Sequence, residues 1–350
     1  PGTDSFYLTA TGLGSRYIQK LDPLGNFLWA KQFASVPLSI ATDAMGNVCI
    51  TGTFSGTVDF DPGPDTLNLT ANGSNNDIFI QKLDANGNLV WARQVGSTGF
   101  AEFSTAIVVD GLVNVFTTGS FNGTIDFDPG AGTLNLSSIG QSDQYVLKLD
   151  AAGNLPWAKQ TQGGLTEIGN ALAVDGPGNV YITGHFVLTA DFDPGPGVLN
   201  FTSAGERDIY IQKLDPSGNL AWASQFGGTF WDSGEAIAVD ALFNVYITGP
   251  FSETVDFDPG MGVQNLSSAG GWDSYILKLS QDIVGTESQH LSIAIQVYPN
   301  PSAGTYTIDL GTFREKTTLT ITDISGKVIQ QSTVFRRRII DVFVDAPAGV

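Results

Sequence analysis

The chain has 350 residues, with 16 Lys and Arg against 35 Asp and Glu, a formal net charge of −19. Such an acidic surface repels nucleic acid and anionic lipid at long range, so neither is an expected partner. A single cysteine, Cys49, excludes any disulfide within the chain, and no apolar run reaches the ~18 residues of a spanning helix.

The acidity is uneven. Residues 1–283 carry 10 basic and 29 acidic side chains, whereas residues 284–350 carry 6 of each. Taken in order, residues 1–280 read as an array of units of about 65 residues. The anchors Asp22, Asp84, Asp150, Asp215 and Ser280 stand 62, 66, 65 and 65 residues apart. Fixed-period self-similarity points to a repeat architecture. Pro1-Gly2 aligns with Pro62-Gly63, so the array is read as beginning inside a unit.

Residues 194–258 hold one full copy. A Pro-Gly turn leads to VLNFTS, then to the runs IYIQKL and LAWASQF joined by DPSGN, then to AIAVD, VYITG and TVDF. The runs are short, β-branched or aromatic, and bounded by Gly, Pro, Asn and Asp, which is the strand-and-hairpin signature. Gly25, Gly87, Gly153 and Gly218 fill the left-handed position of the first turn, where glycine takes positive φ without penalty. In the second turn Gly46 and Gly178 do the same, but Val113 and Phe243 replace glycine in two copies. Those two turns are expected to take another geometry, because a bulky residue at positive φ is strained.

Four main strands per unit, all joined by hairpins, predict an all-β fold: a β-propeller of four-stranded blades, about five seen and two of them incomplete. The recurring Trp29, Trp91, Trp157 and Trp222 are predicted to fill the gaps between adjacent blades. Cys49 stands where other copies have Phe116, Tyr181 and Tyr246, so it reads as a buried, inert thiol.

The order D-I-Y-I-Q-K-L-D, G-N-x-x-W-A and A-I-A-V-D…G-N-V-Y-I-T-G resembles the bacterial β-propeller repeat family labelled SBBP, over most of residues 3–283. That resemblance implies a propeller in a secreted or surface protein and no agreed activity. L-D-x-x-G-N-x-x-W also resembles the tryptophan motif of pyrroloquinoline-quinone dehydrogenases. One cysteine cannot supply the vicinal disulfide that those enzymes commonly use.

Two sets of residues are candidates for ligands. The motif DFDPG places Asp59 with Asp61, Asp126 with Asp128, Asp191 with Asp193, and Asp256 with Asp258 at one level around the array. Alternate strand residues share a face, so each pair offers two carboxylates to a hard cation, calcium. The same motif also reads as a turn in which the Asp side chains cap backbone amides. The second set lies in the variable loop before the AIAVD strand: Glu102 and Phe103 in one copy, Glu167 in the next, Phe230, Trp231, Asp232 and Glu235 in a third. Aromatic rings beside carboxylates suit an extracellular glycan or protein surface. Trp272 also falls outside the repeat. No catalytic residues are assigned, since His185 and His290 are the only histidines and no hydrolase or nucleotide motif occurs.

Residues 281–296 read as a linker. In 297–350, three alternating runs predict a small β-sandwich. Tyr298-Pro299-Asn300-Pro301, Gly304, Asp323, Gly326-Lys327 and Ala348-Gly349-Val350 make this segment similar to the type A sorting domain of the Bacteroidetes type IX secretion system. That resemblance implies export to the surface or the medium, with the secretion machinery as partner. The chain ends at A-G-V, where members normally continue, so the domain is read as truncated. Two functions stay open. One is a non-catalytic binding, adhesion or scaffold module; the other is a glycan-active hydrolase or carbohydrate-binding propeller. The residue types favour the first.

Overall fold

The computed structural model describes residues 6–9, 16–99, 102–260 and 262–280, and the backbone of three further strands at 296–298, 305–322 and 328–343. It divides into two parts, Pro1–Gln281 and Asp282–Val350. Among the described residues every regular element is a strand.

The first part opens with the hairpin Arg16–Leu21 and Phe27–Phe33. The first complete sheet follows, with Val36–Thr42, Val48–Phe54, Asp77–Leu83 and Leu89–Val95 side by side in chain order, all antiparallel. A small hairpin, Thr57–Asp59 with Asn68–Thr70, interrupts it between the second and third strands. The same plan repeats with Phe103–Val109, Val115–Phe121, Asp143–Leu149 and Trp157–Gly163. It repeats again with Glu167–Val174, Val180–Phe186, Asp208–Leu214 and Leu220–Phe226. A fourth sheet has three described strands, Ala236–Val239, Val245–Phe251 and Asp273–Leu279. First strands of successive sheets pack on one another, as inner strands do in a propeller-like array.

Each core lies at a seam between two sheets. Ile78, Ile80 and Trp91 of the first complete sheet meet Val115, Phe121, Phe127 and Tyr145 of the second. Phe116 and Val146 meet Ile182, Phe186, Phe192 and Tyr210, and Tyr181, Ile209 and Ile211 meet Val245, Phe251, Phe257 and Tyr275. Alternate residues of a strand therefore enter different seams, and the middle strands are buried on both faces. The last sheet shows the converse. Ile276 is 83% exposed, whereas its equivalents Ile80, Val146 and Ile211 are buried, because no described sheet covers that face. Cys49 sits in the first of these seams, and burial pushes its thiol up to about 12.

The tryptophans lock the seams as expected. Trp29, Trp91 and Trp157 donate Nε1–H to the carbonyls of Ala85, Ala151 and Pro216, each in the D-x-x-G-N turn of the next unit. The indole lies against that turn's glycine. A Cβ on Gly153 would stand 3.0 Å from the Trp91 ring, and φ at Gly153 is +79°. Small side chains add links between first strands. Ser39 Oγ accepts from Ile107 N at 3.2 Å, and Asn170 Nδ2 donates to Gly234 O at 3.0 Å.

One expectation is corrected. Val113 and Phe243 adopt φ of +66° and +63°, in the same turn as Gly46 and Gly178. The reason is the leading aspartate. Asp110 Oδ1 accepts from the amides of Leu112 and Asn114, and its Oδ2 accepts from Asn114 Nδ2. This bonding imposes the turn and overrides the strain of a left-handed valine, of order 1–2 kcal/mol. Val113→Gly is expected to stabilise the protein by roughly 0.5–1 kcal/mol, the relieved strain exceeding the added unfolded-state entropy. Chemical denaturation checks this, and a loss of stability would refute it.

In the second part the described backbone forms a three-stranded antiparallel sheet, Gln296–Tyr298, Thr305–Thr322 and Val328–Phe343. The two long strands pair along almost their whole length. The register slips between Asp309 and Arg314, where residues 310–313 have no cross-strand partner, and again between Ile321 and Thr322. Among the sorting-motif residues, Pro299, Asn300, Pro301, Gly304, Asp323, Gly326 and Lys327 lie outside the described residues, as does the linker before residue 296.

Candidate functional site

The variable loop of the third complete unit builds a cleft. It is about 440 Å³ and is lined by Glu206, Phe230, Trp231, Ser252, Glu253 and Trp272, with Gly270 and Gly271 at its rim. The Trp231 and Trp272 rings meet edge to face, 6.1 Å between centroids at 83°. They are 41% and 54% exposed, and Phe230 is 48% exposed. The Arg207 guanidinium stacks on Trp231 as well, 4.1 Å from the ring centroid.

Backbone pairing holds this geometry. Arg207 and Trp231 form a parallel bridge, with Arg207 N donating to Phe230 O and Asp232 N to Arg207 O. Asp232 is fully buried. Its Oδ2 accepts from Gly228 N at 2.8 Å and its Oδ1 from Ser252 N at 3.0 Å. The carboxylate thus ties the start of the loop to the turn that follows Val245–Phe251, and Ser252 Oγ donates to Trp231 O. Trp272 arrives from the next unit, directly before Asp273, where other copies carry Asn76, Ser142 and Arg207. Two aromatic exceptions to the repeat therefore meet in space.

Of the loop residues singled out from sequence, only Trp231 and its neighbour Phe230 reach this cleft. Phe103 is exposed on another unit. Glu235 points toward the first strands, where its Oε1 accepts from Ser233 Oγ and Asn170 Nδ2. Ser233 Oγ also meets His185 Nδ1 at 3.4 Å, and burial drives the His185 ring down to about 4. The sequence reading sets Glu102, Glu167 and Asp232 beside a surface ligand, but each is fully buried. This placement corrects the expectation: the loop turns its acidic side chain inward, toward the Asp that begins a neighbouring strand.

Those inward pairs are Glu102 with Asp77, Glu167 with Asp143, and Asp232 with Asp208. Desolvation is the main cause of their upward shifts, and the second carboxylate adds repulsion. Glu102 moves to about 7, Glu167 to about 9, and Asp143 and Asp208 to about 7 each. They repeat at three seams and are sealed from solvent, unlike a substrate-accessible catalytic pair.

The DFDPG carboxylates serve the turn. The first Asp of each motif accepts through Oδ1 from two backbone amides. Asp59 takes those of Asp61 and Leu67, and Asp126 those of Asp128 and Leu134. Asp191 takes those of Asp193 and Leu199, and Asp256 those of Asp258 and Gln264. The second Asp caps the glycine two residues on: Asp61 Oδ1 accepts from Gly63 N, Asp128 Oδ1 from Gly130 N, Asp193 Oδ1 from Gly195 N and Asp258 Oδ1 from Gly260 N. These bonds hold Asp59 and Asp256 below the usual carboxylate range. Among the described residues, no three His, Cys, Asp or Glu side chains converge as a metal cluster.

The sequence reading also offers these eight carboxylates to calcium, which melting in calcium against melting in chelator tests. Each of the pairs Asp59 with Asp61, Asp126 with Asp128, Asp191 with Asp193 and Asp256 with Asp258 stays within its own turn, and among the described residues no third acidic, His or Cys side chain joins it. The reason is local. Pro and Gly bend the chain back at once, so the nearest donors to each carboxylate are the turn's own amides, and an oxygen already accepting from them is a poorer metal ligand.

Comparison with known proteins adds the address. Residues 296–342 match the secretion system C-terminal sorting domain. The chain carries this domain and is therefore exported by type IX secretion, to the cell surface or the medium. Over 306 residues, 72% of the chain, it is 27% identical to an uncharacterized WD repeat-containing protein of Acanthamoeba polyphaga mimivirus. It is 28% identical over 143 residues, 41% of the chain, to the regulatory protein FlaEY of Caulobacter vibrioides. The chain spans only 22% and 14% of the lengths of these two relatives. The crystal structure of a Bacteroides caccae protein of unknown function aligns with 91% of the chain and 92% of its own, at a TM-score of 0.35 and 11% identity. Among the described residues no helix is long and apolar enough to cross a membrane.

Proposed function

We propose that this exported array is a non-catalytic binding module, and that the Trp231–Trp272 cleft takes an extracellular saccharide. The observation that carries the reading is the meeting of two half-exposed indoles, both departures from the repeat, in one concave site. An array buries its recurrent aromatics at seams. Aromatics that break the repeat and stay exposed are free to bind. Sugar rings present apolar C–H faces that stack on indoles, and the carboxylates of Glu206 and Glu253 at the rim can accept from sugar hydroxyls. The SBBP resemblance supports a surface role, while the machinery of type IX secretion is the partner during export.

The test is binding to a panel of soluble glycans by calorimetry, with Trp231→Ala and Trp272→Ala beside the parent. Each variant is expected to weaken binding at least about tenfold, as the loss of a central aromatic does, with little change in melting temperature. Unchanged affinity in both variants would refute the cleft as the site.

A further inference from the structure

Two indoles account for the stacking face of a sugar in the cleft, and the acids beside them bear on which sugar it is. Glu206 and Glu253 line the cleft and are exposed, and no basic side chain lines it. Among the described residues the ion pair is Lys82 with Asp43, in another unit, so neither rim carboxylate is matched by a Lys or Arg. Arg207, next to Glu206 in the chain, is instead held over the Trp231 ring.

Both acids break the repeat, as the two tryptophans do. Glu206 stands where the other units have Asn75, Gln141 and Gly271. Glu253 stands in the turn where Gly56 and Gly123 take φ of +65° and +78°. It takes +57° itself, at a cost of order 1–2 kcal/mol for a left-handed side chain. Leu188 bears the same strain in the preceding unit, so the turn accepts a side chain, but only at 253 is that side chain a carboxylate. Electrostatics then set the preference. An indole face attracts a cation, and the Arg207 guanidinium, 4.1 Å from the Trp231 centroid, shows that attraction in place. Trp272 and Phe230 add two further rings. Aromatic rings beside unmatched carboxylates favour an ammonium group and repel a second negative charge. The 29 acidic against 10 basic residues of 1–283 give the surrounding field the same sign.

We infer that the cleft selects an amino sugar with a free, protonated amine over neutral and acidic sugars, an inference that rests on the saccharide reading given above. The C–H face of the sugar stacks on an indole, and its ammonium donates to the Glu206 and Glu253 carboxylates. Acetylating the amine removes the charge and leaves the stacking face.

Calorimetry of the full chain with a soluble chitosan oligomer, and with the same oligomer fully N-acetylated, tests this at about pH 6, where an aliphatic amine is protonated, and at about physiological ionic strength. The amine form is expected to bind at least about tenfold tighter than the acetylated form. In the double variant Glu206→Gln with Glu253→Gln that preference should shrink to about threefold or less. Trp231→Ala should weaken binding of the amine form at least about tenfold, which separates the cleft from a general attraction of a polycation to the acidic array. Three outcomes overturn the inference: amine binding that is absent or no tighter than acetylated binding, a preference undiminished in the double variant, or amine binding untouched by Trp231→Ala. Neutral glycans that bind the parent and fail with the tryptophan variants would keep the saccharide reading even then. Binding of no glycan at all would overturn that reading, and this inference with it.

Discussion

Trp91→Ala is expected to lower stability by about 3–5 kcal/mol, the range for removing a large buried aromatic. The ring is 6% exposed and fills the seam between the first two complete sheets. Three interactions fail together. The indole N–H loses Ala151 O at 3.0 Å. The Arg93 guanidinium, 5.6 Å from the ring centroid, loses the surface that aligns it on Gly153 O and Ala152 O. The face of Gly153 loses the ring packed against it. In a repeat array each unit is stabilised mainly by its neighbours, so the damage should also show as a broadened transition. Trp91→Phe keeps most of the burial but not the hydrogen bond, and should recover more than half of the lost stability. Denaturant titration followed by circular dichroism is the measurement. A loss below about 1 kcal/mol for the alanine variant, far under the range for a buried aromatic, would show that the indoles decorate the seams rather than hold them.

Stability in chelator is expected to fall as pH rises from about 5 to 9, and Glu167→Gln is expected to remove much of that fall. Glu167, Glu102, Asp143 and Asp208 all have native pKa values raised above their unfolded ones. The native state binds those protons more tightly. Their contribution is complete below the unfolded values near 4 and is lost as pH climbs through about 7 to 9. Glu167 alone, moved from 4.5 to about 9, accounts for a loss of roughly 3–4 kcal/mol by pH 7, at about 1.4 kcal/mol for each pH unit above its unfolded value. Two groups of residues act in the opposite direction. Asp22, Asp84, Asp150 and Asp215, held low by their turn bonds, lose stability as pH falls below about 4. His185, lowered from 6.5 to about 4, opposes protonation between those two values. Four raised carboxyls outweigh one histidine, so the optimum falls near about pH 5. Glutamine at 167 carries no charge and offers an N–H to the Asp143 carboxylate, so the variant should melt higher than the parent at about pH 8. Melts across this range in EDTA decide it. A flat profile, or a Gln variant no more stable on the alkaline side, would contradict the buried-pair electrostatics.

These expectations differ in how far they can be read before the fold is known. The seam tryptophans are legible because they recur at one register in every unit, and recurrence marks what each sheet requires. The left-handed turns at Val113 and Phe243 are not legible from residue type, since steric preference is local and the Asp110 bonding that overrides it depends on the closed turn. The DFDPG motif is legible as a turn, and its carboxylates accept from the turn's own amides. The inward pairs are half legible. Glu102, Glu167 and Asp232 stand out as acids in a variable loop, but their partners Asp77, Asp143 and Asp208 look like the ordinary first residues of strands. The cleft is legible in its two aromatics and not in their meeting, since Trp231 and Trp272 lie 41 positions apart.

Period, composition and turn chemistry were enough to determine an all-β array of four-stranded units, its buried thiol and its export tail. Each of those follows from short-range pattern: alternation along a strand, glycine or aspartate at a fixed turn position, motif order near the C-terminus. Only the tertiary structure decided which way a loop carboxylate points, because strand pairing between units selects the seam or the solvent. It likewise decided that two indoles from different units share one concave surface, a matter of how adjacent sheets are placed and not of any residue's own preference.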